Sequence, residues 1–416
     1  MPHENWPRLD GHDWRATRDA LHLYLQIVGK YRLARTPWQN HSWHATFHLA
    51  ARGWTTTPIP DGPGIEILFD LIDHKVIGTG TSGGRAEIKL RPMTVAAFHA
   101  AFHALVSALG GTPRFHGVPN EVADPVPFAL DHRERPYDGP AVNRFFRATA
   151  SADRVFKRFR SGFLGKASPS HLFWGSFDLA VTRFSGRAAP PHPGGVPALP
   201  DEVAREAYDQ ELSSAGFWPG GPGFDAPAFY AYAYPSPEGF AGSRVHPDAA
   251  FWSPELGEFL LPYEAVRTAP DPDAALRDFL QSTYDPAADL GGWDRAALEC
   301  APGRPSRVRP PAGEPPRAEP SDAAGAIRHE AGPKGRYTLS VDGHEAEMTY
   351  TRVGVHLLII DHTGVPDALR GRGIGAQLVG RAVEDARRAG DQILPLCPFA
   401  LAQMQRHPEW HDVLQG

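Results

Sequence analysis

The sequence predicts two domains of different class. Residues 1–302 read as an α+β domain of antiparallel strands with packed helices, and residues 330–416 as a small α/β domain, with a linker at 303–329 between them. Three observations carry this. In the first segment strand patterns come in groups instead of alternating with helices, as α+β folds require. In the second, strand, glycine-rich turn, amphipathic helix and strand follow one another, which is the βαβ order. Residues 303–326 are rich in proline, alanine and arginine and hold almost nothing that can be buried, so they read as a solvated, semi-stiff linker.

The whole-chain numbers agree with this division. A length of 416 residues, 42% hydrophobic and 22% charged, suits an ordinary globular protein of two or three domains. The net charge of −6 gives no basis for nucleic-acid binding. Cys300 and Cys397 lie in different segments. They form no disulfide framework, so a reducing, cytoplasmic location is expected. The start, Met1 to Trp6, lacks the basic and apolar regions of a secretory signal. No run approaches the roughly 18 apolar residues of a membrane span.

In chain order, Trp14, Ala20, Leu21, Tyr24, Leu25, Ile27 and Val28 make a helical apolar stripe that Gly29 is expected to end. From His41 to Met93 the period changes to two. Trp43, Ala45, Phe47 and Leu49 alternate, then Ile65, Ile67 and Phe69, then Ile88 and Leu90, predicting an antiparallel meander. Thr94 caps a helix to about Leu109, which Gly110 and Gly111 end. Residues 112–138 are irregular, and a long helix follows from about Pro140 to Phe163. Leu172–Phe184 reads as one or two buried strands, and Asp201 starts a helix to about Ser213. Phe229–Tyr234 and Glu258–Tyr263 read as strands, and Asp271 starts a helix to about Tyr284.

In the C-terminal segment Arg336–Val341 and Ala346–Tyr350 alternate around an Asp342-Gly343 hairpin turn. Val355–Ile360 is a continuous apolar run suited to a central strand. Ala376–Ala389 is an amphipathic helix ended by Gly390, Gln392–Leu396 is a second strand, and Leu401–Arg406 is a short last helix.

Between strand and helix stand Arg370, Gly371, Arg372, Gly373, Ile374 and Gly375. Glycines let the backbone turn its N–H groups onto an anion, the helix dipole adds partial positive charge, and two arginines suit phosphate. Three cradles compete for this pattern. A P-loop needs a lysine that is absent. A dinucleotide fingerprint is formally met by Gly371, Gly373 and Ala376, but nine residues, Asp361 to Leu369, separate it from its strand. It also lacks the acid expected about 20 residues on. The third is Arg-x-x-Gly-x-Gly over Arg370, Gly373 and Gly375, which resembles the acyl-coenzyme A pyrophosphate loop of the GNAT N-acetyltransferase superfamily. His362-Thr-x-Val-Pro, Pro395-x-Cys-Pro-Phe and His407-Pro-Glu extend the likeness to one compact, GNAT-like branch over about residues 330–416.

That resemblance implies acetyl-CoA as co-substrate, bound through Thr363, Val365, Arg370, Gly371, Arg372, Gly373, Ile374 and Gly375. It also implies a gap between the strand ending near Asp361–Val365 and the strand at 392–396, where the pantetheine arm lies. An amine attacks the thioester, a main-chain N–H stabilises the oxyanion and a base takes the proton. Cys397, as nucleophile or acceptor-pocket wall, and His362, as base, are the candidate catalytic residues. A buried structural cysteine and a backbone-bonded histidine fit the same positions. The tyrosine acid of many GNAT enzymes is unmatched, with Phe399 and Met404 in its place.

In the first domain His41, His44 and His48 cluster. On a strand His44 and His48 share a face and, with His171 or His192 and Glu211, suit a metal; a polar strand face suits them too, and no metal motif supports the former. Phe173–Arg187 and Ser213–Gly221, dense in aromatic and small residues, suit either a ligand pocket or core strand and turn. Pro37–His44 and Phe173–Asp178 resemble a bacterial family known only as a domain of unknown function.

The expected function is acetyl transfer to a small-molecule or protein amine, with the first domain binding or presenting the acceptor. No nucleic acid, membrane or metal is expected. The alternatives are an acyl-CoA or metabolite sensor with little turnover, and an independent N-terminal enzyme fused to the small domain.

Overall fold

The computed structural model describes residues 5–9, 14–122, 124–196, 198–306, 327–354 and 356–415. Two compact units are present, Met1–Arg307 and Val308–Gly416. Of the expected linker, residues 307–326 lie outside the described residues. Its last positions are not linker: Arg328–Glu330 is a strand paired with Arg336–Thr338. Among the described residues no helix is long and apolar enough to cross a membrane.

Among the described residues the first unit holds two large antiparallel sheets and one two-stranded one. Strands β1 (His48–Ala50), β2 (Gly53–Thr55), β3 (Ile65–Asp70), β4 (Lys75–Gly80) and β5 (Arg85–Lys89) pair in sequence order as the predicted meander. The short β6 (Met93–Thr94) and β7 (Glu134–Arg135) pair with each other. Strands β8 (His171–Phe173), β9 (Asp178–Ala188), β10 (Gln210–Trp218), β11 (Ala228–Tyr234), β12 (Phe251–Ser253) and β13 (Glu258–Pro262) form a six-stranded sheet in the order β12-β13-β11-β10-β9-β8. The helices are α1 (Arg15–Arg35), α2 (Val95–Ala108), α3 (Gly139–Arg160), α4 (Asp201–Ala207), α5 (Tyr263–Arg267), α6 (Pro272–Leu290) and α7 (Arg295–Leu298).

Among the described residues, four helices of this unit begin at side chains that accept from otherwise unpaired N–H groups. Thr94 accepts from Ala97 at 3.0 Å, Asp138 from Ala141 at 3.1 Å, Asp271 from Ala274 at 2.9 Å and Asp294 from Ala297 at 3.1 Å. One face of the six-stranded sheet, including Leu179, Val181, Phe217, Phe229, Phe259 and Leu261, shares a buried core with Phe145 and Phe156 of α3 and Phe279 of α6.

Three expectations are corrected. Gly29 does not end α1, which runs on to Arg35. A Cβ at position 29 would lie 2.3 Å from the Trp174 indole, so this glycine makes room for a ring. The segment His41–Ala45 is not strand but part of a 3-10 turn, Asn40–Ala45. His41 and Ser42 take left-handed φ of 58° and 57°. The Glu206 carboxylate holds the His41 N–H (3.0 and 3.1 Å), and the Ala207 carbonyl lies 2.9 Å from its ring Nδ1. The helix at Asp201 stops at Ala207, and Gln210–Trp218 becomes an inner strand bonded on both sides, by β9 and β11. Pairing with two neighbours overrides the helical preference of Gln210, Glu211 and Leu212.

The second unit has one sheet in sequence order: β14 (Arg328–Glu330), β15 (Lys334–Val341), β16 (His344–Val353), β17 (Leu357–Gly364) and β18 (Gln392–Pro395). All pairs are antiparallel except β17 with β18. The β15–β16 hairpin turns on Asp342 (φ 50°) and Gly343 (φ 79°), as an Asp-Gly pair favours. Helix α8 (Ile374–Ala389) lays Leu378, Val379, Ala382, Val383 and Ala386 in a core with Tyr337, Leu339, Met348, Leu358 and Ile360. Helix α9 (Pro398–Arg406) adds Ala400 and Met404.

The Gly29 packing is directly testable. Alanine is the better helix former by about 1 kcal/mol, yet Gly29→Ala should destabilise the unit by about 1–3 kcal/mol through overpacking against Trp174. Urea unfolding followed by tryptophan fluorescence measures this; an unchanged or raised midpoint contradicts it.

Candidate functional site

The site in the second unit starts from a ladder that stops. Parallel pairing of β17 and β18 runs from Leu357↔Gln392 to Ile360↔Pro395 and goes no further. The N–H groups of Leu396 and Cys397 both donate to Ile360 O, at 3.1 and 3.0 Å. Two local features turn the chains apart there. Pro398 stands in the first turn of α9 and commits the chain to a helix. In β17, Asp361 is the extra residue of a bulge, since Tyr350 pairs with Ile360 and Thr349 with His362; bulges bend the strand that carries them. Beyond Ile360, β17 continues to Gly364 held by β16 alone, and a wedge opens beside it.

Directly opposed residues share a face of a sheet. Thr363 pairs with the core residue Met348 and so lies on the inner face, while His362 pairs with Thr349 on the outer face. Cys397 joins Thr363: its Sγ lies 3.6 Å from Thr363 Oγ1, and the residue is 5% exposed. Burial pushes the Cys397 thiol up. The Ala400 N–H, Thr363 and the Phe399 N–H pull it down further, so the net position is below an ordinary thiol. A cysteine at a helix N-terminus is the setting in which thiolates are stabilised. His362 is exposed on the outer face; a groove of about 590 Å³ lined by Arg336, Thr349, Thr351 and Asp361 among others does not include it. The structure therefore does not bring His362 and Cys397 together.

The glycine-rich loop is open. Gly371 and Gly373 have φ of 78° and 73°, and a Cβ on either would meet nothing within 4 Å. Gly373 is the N-cap of α8, and no side chain caps the helix, so its first N–H groups face outward with the positive end of the dipole. Gly375 is closed below: a Cβ there would lie 2.7 Å from the Phe399 ring and 3.3 Å from Val365. Ile374 sends its side chain into the core at 3% exposure, leaving only its backbone to the loop. Arg370 and Arg372 are paired with Asp367 (2.8 Å) and Asp342 (2.7 Å) in exposed bridges. Such bridges hold at most about 1 kcal/mol and exchange readily for a phosphate. The contribution of Phe399 as the floor of the loop was not legible in the sequence; only its place next to Cys397 hinted at it.

Residues 6–300 match the model of a family of unknown function, DUF5996. The chain belongs to this family. Residues 336–413 match a second model, GCN5-related N-acetyl-transferase, and form a domain of that kind. A GCN5-like protein from Staphylococcus aureus, solved by NMR in solution, is 33% identical over 22% of this chain and 89% of that one, with a TM-score of 0.19. No curated protein matches the chain.

Within the DUF5996 unit the candidate metal residues separate. His192 stacks on Tyr208 at 4.7 Å, and Glu211 accepts from Ser185 and Arg187. His48 and His171 stay together, their rings 6.4 Å apart. Among the described residues no three His, Cys, Asp or Glu side chains could hold a metal ion. Of the aromatic run at 173–178, Trp174 closes on Gly29 and Asp178 accepts from Tyr230 inside the sheet. The Ser213–Gly216 part of the second run is core strand.

The electrostatics of Cys397 make a prediction. With the thiolate favoured over the thiol, the pH midpoint of Cys397 alkylation, followed by peptide mass mapping, should fall below the roughly 8.5 of a free cysteine. A midpoint at or above that value means that burial outweighs the N–H groups of α9.

Proposed function

We propose that residues 336–413 transfer an acetyl group from acetyl-CoA to an amine. The observation that carries this is the wedge beyond Ile360 lying beside an uncapped helix N-terminus with two open glycines. An anion with a long uncharged arm fits such a pair of features, because one end takes charge and the other takes an extended chain. Acetyl-CoA supplies the thioester carbon that an amine attacks.

The chain's own residues then have distinct parts. The N–H groups of Gly371–Gly375 receive the pyrophosphate, and Arg370 and Arg372 exchange their surface carboxylates for it. The free edge of β17 from Asp361 to Gly364 lines the arm, with Thr363 and Val365 on the inner wall. The N–H groups of Leu396 and Cys397 are already bonded to Ile360, so an oxyanion donor comes from the β17 edge. Cys397 is the ionisable side chain on the inner wall. His362 meets an acceptor only if that acceptor approaches from the outer face of the sheet.

A second reading, acetyl-CoA binding with little turnover, is favoured by the same inventory. Phe399 and Met404 replace an acid on α9, and Met404 is fully buried. In the first reading the DUF5996 unit binds or presents the acceptor, in the second it senses a small ligand, and the two free cysteines suit the cytoplasm.

Calorimetry on the full chain tests the binding. Acetyl-CoA should bind, and Gly373→Ala should weaken it at least about tenfold, through strain and a methyl group on the open loop. Gly354→Ala is the matched control, since Gly354 also has positive φ (65°) and open space; it should leave affinity unchanged. No binding, or equal loss in both variants, contradicts the proposal. Thiol release with a panel of amines separates the two readings, and full rate in Cys397→Ala would remove Cys397 from the chemistry.

A further inference from the structure

The chain has six lysines, and Lys166 is paired unlike an ordinary one. Lys75 and Lys157 rest on carboxylates. Among the described residues no carboxylate pairs with Lys166. Its Nζ lies 2.5 Å from His41 Nε2 and 3.2 Å from Gln210 Oε1, so amine and imidazole are in direct contact. The Ala207 carbonyl, 2.9 Å from the other ring nitrogen, can only accept, and it fixes the ring hydrogen on Nδ1. Nε2 is left as the lone pair that takes a hydrogen from Lys166.

Both groups are held from several sides. The Lys166 carbonyl accepts from the Phe184 N–H at 3.0 Å, and Ala167 bridges to Arg183, which lays this segment along β9. His41 sits at a left-handed φ of 58° with its N–H on the Glu206 carboxylate. Strained backbone of this kind gathers at functional sites. The Trp43 and Phe184 rings wall the amine, their centroids 5.6 and 4.8 Å from Nζ. Burial pulls the pKa of both groups down, so the imidazole stays neutral and the ammonium gives up its proton more readily. His41 is buried, whereas Lys166, Trp43 and Gln210 are half-buried. The pair is thus anchored inside and reaches the surface at its lysine end.

An amine with a proton acceptor in contact and apolar walls beside it has the chemistry of a Schiff-base lysine. We propose that Lys166 of the DUF5996 unit forms an imine with a small uncharged aldehyde or ketone, with His41 as its base. His41 Nε2 takes a proton from the ammonium. The free amine attacks the carbonyl carbon and forms the C–N bond. The carbinolamine oxygen then leaves as water with the proton that His41 returns, and the nitrogen closes the C=N bond; nothing is oxidised or reduced. Glu206 on the His41 N–H and Asp209, 3.7 Å from its Nδ1, disfavour an anionic carbonyl compound. Trp43 and Phe184 suit an apolar one. The site stands independently of acetyl transfer.

Reductive trapping on the full chain tests this. The chain is treated with acetaldehyde and cyanoborohydride at neutral pH, and the adducts are mapped by peptide mass spectrometry. An exposed lysine, with a pKa of about 10.4, holds little free amine there. Lys166 should therefore be ethylated at least about tenfold faster than the exposed Lys89 and Lys334. Glyoxylate in place of acetaldehyde should show less of that preference. His41→Asn keeps a residue that tolerates the left-handed turn and removes the proton acceptor. It should abolish most of the preference at neutral pH, with the lost rate returning at about pH 10, where the amine frees itself. The comparison among lysines of the wild-type chain stands even if this variant does not fold. Equal rates at Lys166 and Lys89 in the wild type, an undiminished preference in folded His41→Asn, or a stronger preference with glyoxylate overturns the proposal.

Discussion

One carbonyl oxygen organises the second unit. Ile360 O accepts from both Leu396 and Cys397 and so marks where two parallel strands stop pairing. A parallel pair carried further would fill its own edge and leave nothing to a ligand. Ending it early exposes the β17 edge while β16 still holds the other side. The Asp361 bulge and the Pro398 helix start are the sequence devices that end it. From that point Cys397, Thr363, Val365 and the glycine loop over Phe399 take their places.

Much of this was legible in the sequence, because local chemistry decides it. The Asp342-Gly343 turn, the Thr94 and Asp271 helix starts and the stripe of α8 each depend on a few neighbouring residues, and each appears where the pattern puts it. Gly371 and Gly373 have the left-handed backbone that an anion loop needs. What was not legible depends on distant partners. Gly29 reads as a helix stop until Trp174, far along the chain, is seen to need its space. Gln210–Ser213 reads as the end of a helix until two neighbouring strands claim it. His362 and Cys397 read as a pair, but the bulge at Asp361 sends them to opposite faces, and a bulge leaves little trace in sequence.

The same contrast separates the two candidate sites of the sequence. The acetyl-transfer site is made of backbone groups whose positions a glycine pattern reveals. The histidine cluster of the first domain was visible in the sequence as a possible metal site, but its members depend on distant partners: His192 stacks on Tyr208, and Glu211 accepts from Ser185 and Arg187.

The central claim is that acetyl-CoA occupies the wedge beyond Ile360 and the loop at the start of α8. Hydrogen exchange of the full chain, with and without acetyl-CoA and read by mass spectrometry, addresses it most directly. The account requires slowed exchange in peptides covering 361–365 and 371–377, where backbone N–H groups meet the ligand, and little change in β15 and β16. Unchanged exchange in both segments at saturating acetyl-CoA, or protection confined to other parts of the chain, would contradict it.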